Sequence, residues 1–190
     1  MHVHLGSPLT PGSFNPTATA DLPAGVQAEL YGQMLVADFI GTASGQLRVA
    51  QLSGNTGDVA VYGGYVGGRL ERLVLVSTQF WDEAPAPARG NGRNGGGQQE
   101  ATPPRPRQTI QLSSGILPRN VRTVQVRKLT TDGGVGSATA EGLVYAGTRW
   151  SSDSKGLPVR VGDESSLVST QNNGALTVDL DATSAVLVTW

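Results

Sequence analysis

The run from Val59 to Trp81, VAVYGGYVGGRLERLVLVSTQFW, narrows the folds open to this chain more than any other stretch. Gly67-Gly68 supply the positive φ angles that a two-residue hairpin turn requires, and β-branched residues flank them on both sides. In the second arm, Leu73-Val74-Leu75-Val76 is apolar at consecutive positions. Successive residues of a strand face opposite sides, so both faces of this arm have to be covered. The sequence therefore predicts a hairpin at the centre of a sheet, with something packed above it and below it.

Downstream of Gly45 the pattern keeps a period of two, and strands are predicted at Leu47–Leu52, Val59–Val66, Leu70–Thr78 and Thr109–Leu112. Further strands fall at Val121–Leu129, Leu143–Tyr145, Val159–Val161, Leu167-Val168, Leu176–Leu180 and Ala185–Trp190. With 26 glycines and only 15% charged residues among 190, the composition suits many short strands joined by glycine turns. The predicted class is all-β, an antiparallel β-sandwich of one domain. One helix interrupts the pattern. From Ala28 to Ile40, Leu30, Met34 and Ala37 recur with Leu35 and Phe39 beside them, and Gly41 is placed to end the helix in a left-handed cap. Before it, Met1–Leu5 reads as a short strand, and the prolines of residues 6–23 break regular structure. Strand, loop and helix make one βα unit, which cannot bury its own apolar face. The domain division is residues 1–44 for that unit and 45–190 for the sandwich, with the helix face left to drive self-association.

Residues 82–107 hold five prolines and five glycines and no Val, Ile, Leu or Phe, too little apolar area to offset the entropy of ordering, and are predicted to be a disordered insert. Its arginines, Arg89, Arg93, Arg105 and Arg107, are read as solvated. A net charge of −1 gives no field that would favour nucleic acid or an acidic membrane. No run reaches the ~18 apolar residues of a membrane span, and with no cysteine there is neither a disulfide nor a thiolate metal site. His2 and His4 share a strand face but lack a third ligand, so neither a metal nor another cofactor is assigned. The carboxylate pairs Asp82-Glu83, Asp163-Glu164 and Asp179/Asp181 read as solvated surface, not as a general acid with its partner. Trp81, Trp150 and Trp190 with Tyr62, Tyr65 and Tyr145 read as packing residues. A sugar-stacking platform, and with it a stand-alone carbohydrate-binding or interaction module, is the alternative.

The order of elements then becomes specific. Leu30-Tyr31-Gly32 through Ala37-Asp38-Phe39-Ile40-Gly41 resembles the last barrel helix of glycoside hydrolase family 79, the β-glucuronidase-like and heparanase-related enzymes. Ala60-Val61-Tyr62 with Gly68-Arg69-Leu70-Glu71-Arg72-Leu73-Val74-Leu75-Val76 resembles that family's hairpin. Val126-Arg127-Lys128-Leu129-Thr130, Val144-Tyr145-Ala146-Gly147-Thr148 and Ala182-Thr183-Ser184-Ala185-Val186-Leu187-Val188 resemble its C-terminal sandwich strands.

The resemblance implies a (β/α)8 barrel followed by a β-sandwich, with catalytic glutamates at the ends of barrel strands four and seven. On this alignment the chain begins at strand eight, as in a truncated barrel, and both glutamates lie upstream of Met1. The chain alone is then an inactive accessory domain whose partner is the barrel, and carbohydrate is the ligand class. His4-Leu5-Gly6 resembles the His-x-Gly that ends the last strand, which implies that His4 and Gly6 border the substrate cleft; the loop departs from the pattern at Leu9-Thr10, where relatives carry an aromatic. The family resemblance further implies a secreted, extracellular enzyme of carbohydrate metabolism.

Overall fold

The computed structural model describes residues 14–15, 25–26, 28–42, 45–52, 57–83, 103–134, 142–151, 153–154, 156–171 and 174–190. A two-residue antiparallel pair, β1 (Phe14–Asn15) and β2 (Gly25–Val26), precedes helix α1 (Ala28–Ile40). Strands β3 (Leu47–Gln51), β4 (Val59–Val66), β5 (Arg69–Ser77), β6 (Arg107–Leu112) and β7 (Thr123–Thr131) follow. The remaining elements are β8 (Leu143–Tyr145), β9 (Thr148–Trp150), β10 (Pro158–Arg160), β11 (Ser166–Ser169), β12 (Leu176–Asp181) and β13 (Ala185–Thr189).

Nine strands form one antiparallel sheet in the order β10-β9-β8-β7-β13-β5-β4-β3, with β11 also paired to β7; β6 and β12 pair with each other as a second layer. Gly67 and Gly68 turn β4 into β5 with φ of +57° and +80°, the geometry of a mirror-image turn whose twist matches that of the strands. β5 pairs with β4 on one side and β13 on the other, Leu187 lying opposite Val74. The predicted hairpin is thus internal to the sheet, and the fold is the all-β antiparallel sandwich expected.

Alternation along the central strands explains why consecutive apolar residues were needed. Leu73 and Leu75 of β5 and Val186 and Val188 of β13 face the second layer, where Leu112, Leu176, Val178 and Leu180 meet them. Val74, Ala185 and Leu187 point the other way, against Tyr31, Leu35 and Phe39 of α1. Three layers result: helix, main sheet and the β6–β12 pair. In β12 the odd positions Thr177 and Asp179 are exposed while Leu176, Val178 and Leu180 are buried, as a strand with one wet face requires.

Several expectations shift. α1 covers residues 28–40 as read, and Leu30, Met34, Leu35 and Phe39 of the expected face pack on the sheet, but Ala37 is exposed and Tyr31 is buried with them. Tyr31 turns the face that way, because its ring and hydroxyl both find partners on the sheet side. The short β1–β2 pair lies in and just after the proline-rich stretch read as irregular. Of residues 82–107, Asp82 bridges to Gly134 and Arg107 opens β6; residues 84–102 lie outside the described residues. So does the predicted strand Met1–Leu5.

Candidate functional site

Where α1 meets the sheet, three polar contacts fix the helix. Tyr31, fully buried, donates its hydroxyl hydrogen to Trp150 O at 3.0 Å and accepts from Trp150 N at 2.9 Å. The two rings meet edge to face with centroids 5.7 Å apart. Burial pushes the Tyr31 phenol above its usual range, only partly countered by the bond to Trp150.

Two turns on, Asp38 Oδ2 accepts from the Tyr145 hydroxyl at 2.7 Å and from Arg127 Nη1 at 3.3 Å. Tyr145 is pushed far above the usual phenol range, first by burial and then by its bond to the Asp38 carboxylate, which favours the protonated form.

The third contact closes the helix. Arg72 of β5 donates through Nη1 to Phe39 O at 3.2 Å and Ile40 O at 3.0 Å, satisfying carbonyls that the last turn leaves without donors and placing a cation at the negative end of the helix dipole. Gly41 follows at φ +59°, and a Cβ there would run into the Arg72 guanidinium. Its identity serves the backbone angle and the passage of Arg72 together.

Two clefts flank Asp38. One, of about 410 Å³, lies between the end of α1, Arg72 and Glu71 of β5, Arg127 and Trp190. The other, of about 380 Å³, lies between Met34, Ala37 and Asp38 of α1, the β8–β9 hairpin with Trp150, Arg160 of β10 and Glu164. Val161 N and Gly162 N both donate to Gly147 O in the β8–β9 turn, at 2.9 and 3.1 Å. That pairing brings Glu164 alongside the second cleft. There its carboxylate lies 3.5 Å from Arg127 Nη2 and 3.7 Å from Arg160 Nη2.

The sequence had set Glu164 aside as solvated surface; it is 58% exposed, yet it belongs to a chain Asp38–Arg127–Glu164–Arg160 that no sequence motif announces. Asp179 and Asp181 lie on the outer edge of β12, bonded to Thr109 at 2.8 Å and to Arg107 at 2.5 Å. The Arg107 hydrogen bond holds the Asp181 carboxyl below its usual range.

Arg105 corrects its reading as a solvated arginine. It donates to the carbonyls of Ala182, Thr131 and Thr183 at 2.8, 2.6 and 3.1 Å and lies over the Trp81 ring at 5.1 Å. Burial pulls its guanidinium below the usual arginine range. A planar fork with five donors can collect the carbonyls of the β12–β13 turn and the end of β7 at once.

The aromatic rings do not share one exposed face: Trp81 lies under Arg105, Trp150 abuts Tyr31, and Tyr145 is buried. His4 and Gly6, the cleft-margin residues of the sequence analysis, lie outside the described residues, as do His2 and Glu141. Among the described residues no group of three His, Cys, Asp or Glu side chains could hold a metal, and no helix is long and apolar enough to cross a membrane.

Fold and site together define a β-sandwich domain with a helix clamped to its outer face. Residues 61–187 match the glycosyl hydrolase family 79 C-terminal beta domain, and the chain belongs to that family. Among solved structures the chain is similar to a 4-O-α-L-rhamnosyl-β-D-glucuronidase from Fusarium oxysporum 12S, with 19% identity and a TM-score of 0.48 over 75% of this chain. That alignment spans 26% of the solved chain, about a quarter of its length. No curated protein sequence matches.

Proposed function

We propose that this chain is the non-catalytic C-terminal β-sandwich portion of a β-glucuronidase-like glycoside hydrolase. In this reading it buttresses a (β/α)8 barrel, which supplies both catalytic glutamates and hydrolyses β-linked uronides in an extracellular setting. The observation that carries it is the two-sidedness of α1. Its inner face is locked to the sandwich by Tyr31, Asp38 and Arg72, while Val36 and Ile40 on the outer face stay 53% and 50% exposed. A helix held this firmly on one side, with apolar residues left on the other, suits a joint between two domains. When the chain is alone, a second copy would take the barrel's place on that surface.

Five of the described carboxylates support the same reading. Asp38, Glu71, Asp132, Glu164 and Asp181 each face an arginine, whereas a retaining glycosidase needs two carboxyls facing each other across the scissile bond. The test is an aryl β-glucuronide assay of the purified chain beside Glu71→Gln, Glu83→Gln, Glu141→Gln and Glu164→Gln. No turnover by the chain alone is the expected result. Turnover that one substitution abolishes would overturn the reading and identify a catalytic carboxylate.

A further inference from the structure

The cleft beside Trp150 carries chemistry that the buttressing role does not use. Its volume of about 380 Å³ lies within the range of small-ligand pockets. Met34, Ala37 and the Trp150 ring give it apolar walls, while Asp38, Glu164 and Arg160 give it planar polar groups.

The ion pairs among those groups are loose. Glu164 lies 3.5 and 3.7 Å from its two guanidinium partners, beyond the length of a good hydrogen bond, so its oxygens keep lone pairs that can accept from a ligand. Among the described residues both hydrogen bonds to Asp38 fall on Oδ2, which leaves Oδ1 to accept. Arg160 Nη1 reaches Ala146 O at 3.3 Å and Thr148 Oγ1 at 3.5 Å, contacts long enough for a hydroxyl to replace.

The charges also select. Asp38, Glu164 and Arg160 line the cleft, and Arg127 pairs with both carboxylates from outside that lining, so an anion meets two carboxylates and a cation meets Arg160 at the wall with the charge of Arg127 behind it. A neutral ligand is opposed by neither. It must offer several adjacent groups that both donate and accept, to match a carboxylate beside a guanidinium, and one C–H face to lie against an indole.

We propose that this cleft binds one uncharged pyranose ring, its C–H face toward Trp150 and adjacent hydroxyls between Glu164 and Arg160. The site does not depend on the buttressing role: it stands or falls on the isolated chain, whatever the outcome of the glucuronide assay.

The test is a titration of the ¹⁵N-labelled chain with methyl β-D-glucopyranoside and, separately, with methyl β-D-glucuronide, following the indole N–H signals of its three tryptophans. Trp150→Phe assigns the signal of interest and keeps the backbone O and N to which the Tyr31 hydroxyl bonds, with an aromatic ring still beside Tyr31. A saturable shift confined to Trp150, in the millimolar range for the neutral glycoside and weaker for the glucuronide, is the expected result. Glu164→Ala should weaken it about tenfold, the loss of one or two hydrogen bonds, with the rest of the spectrum retained. A stronger response to the glucuronide overturns the uncharged class. A shift of Trp81 or Trp190 instead, or none at Trp150 up to tens of millimolar in either glycoside, overturns the site.

Discussion

The two faces of the main sheet are covered by different means. On one, Leu73, Leu75, Val186 and Val188 meet Leu176, Val178 and Leu180 in a layer made of aliphatic side chains. On the other, a single helix contributes Tyr31, Leu35 and Phe39, and its position is fixed by Tyr31, Asp38 and Arg72 through hydrogen bonds to Trp150, Tyr145 and the ends of its own carbonyl row. The dry face follows area and packing. The helix-covered one follows geometry, because a buried phenol without its partners costs more than its bond contributes when made. Stability resides in the first, and the orientation of α1 in the second.

Substitutions should separate these roles. Leu75→Ala, at a fully buried position of the dry face, should cost about 2–5 kcal/mol through lost transfer energy and the cavity left behind, with the whole chain unfolding earlier in urea. Tyr31→Phe strands Trp150 N and O and should cost about 1–3 kcal/mol, with local loosening of α1 ahead of global unfolding. If the two variants lost stability in the same single transition, the distinction between the faces would fail. Gly41→Ala places a Cβ at φ +59° against Arg72 and should cost about 1–2 kcal/mol, with the last turn of α1 fraying in helical circular dichroism.

The smallest effect concerns pH. Tyr145 is pushed upward by burial and by Asp38, so its contribution is complete below the unfolded phenol value of about 10 and is lost as pH rises beyond it. Thermal stability should therefore fall from about pH 10 upward, and Tyr145→Phe, less stable at neutral pH, should show a shallower alkaline decline. An unchanged decline would remove Tyr145 from the clamp.

What the sequence disclosed follows the same division. The Gly67-Gly68 turn, the central place of Leu73–Val76 and the alternation of β12 are written in local pattern, so the dry face was readable. Pairing β6 with β12 joins segments far apart in the chain, with Leu176 opposite Leu112, and no local signal marks it. The helix and most of its apolar face were visible, with Leu30, Met34, Leu35 and Phe39 all packed on the sheet side; Tyr31 escaped notice because its place there depends on bonds to Trp150, far away in the chain. Arg105 was grouped with its glycine-rich neighbours by composition, whereas its role comes from carbonyls of the β12–β13 turn and the end of β7, both far from it in the chain. Glu164 and Asp38 are joined through Arg127, a contact between residues that only the folded sheet brings together.

Amide hydrogen exchange across α1 tests the central claim most directly. A 13-residue helix is marginal on its own in water, so protection there reports docking. The clamp account expects Leu35 to Gly41 to exchange far more slowly than an isolated peptide, with protection reduced in Tyr31→Phe while β5 and β13 stay protected. Exchange of those helix amides at the rate of an unstructured chain, with β5 and β13 still protected, would contradict it.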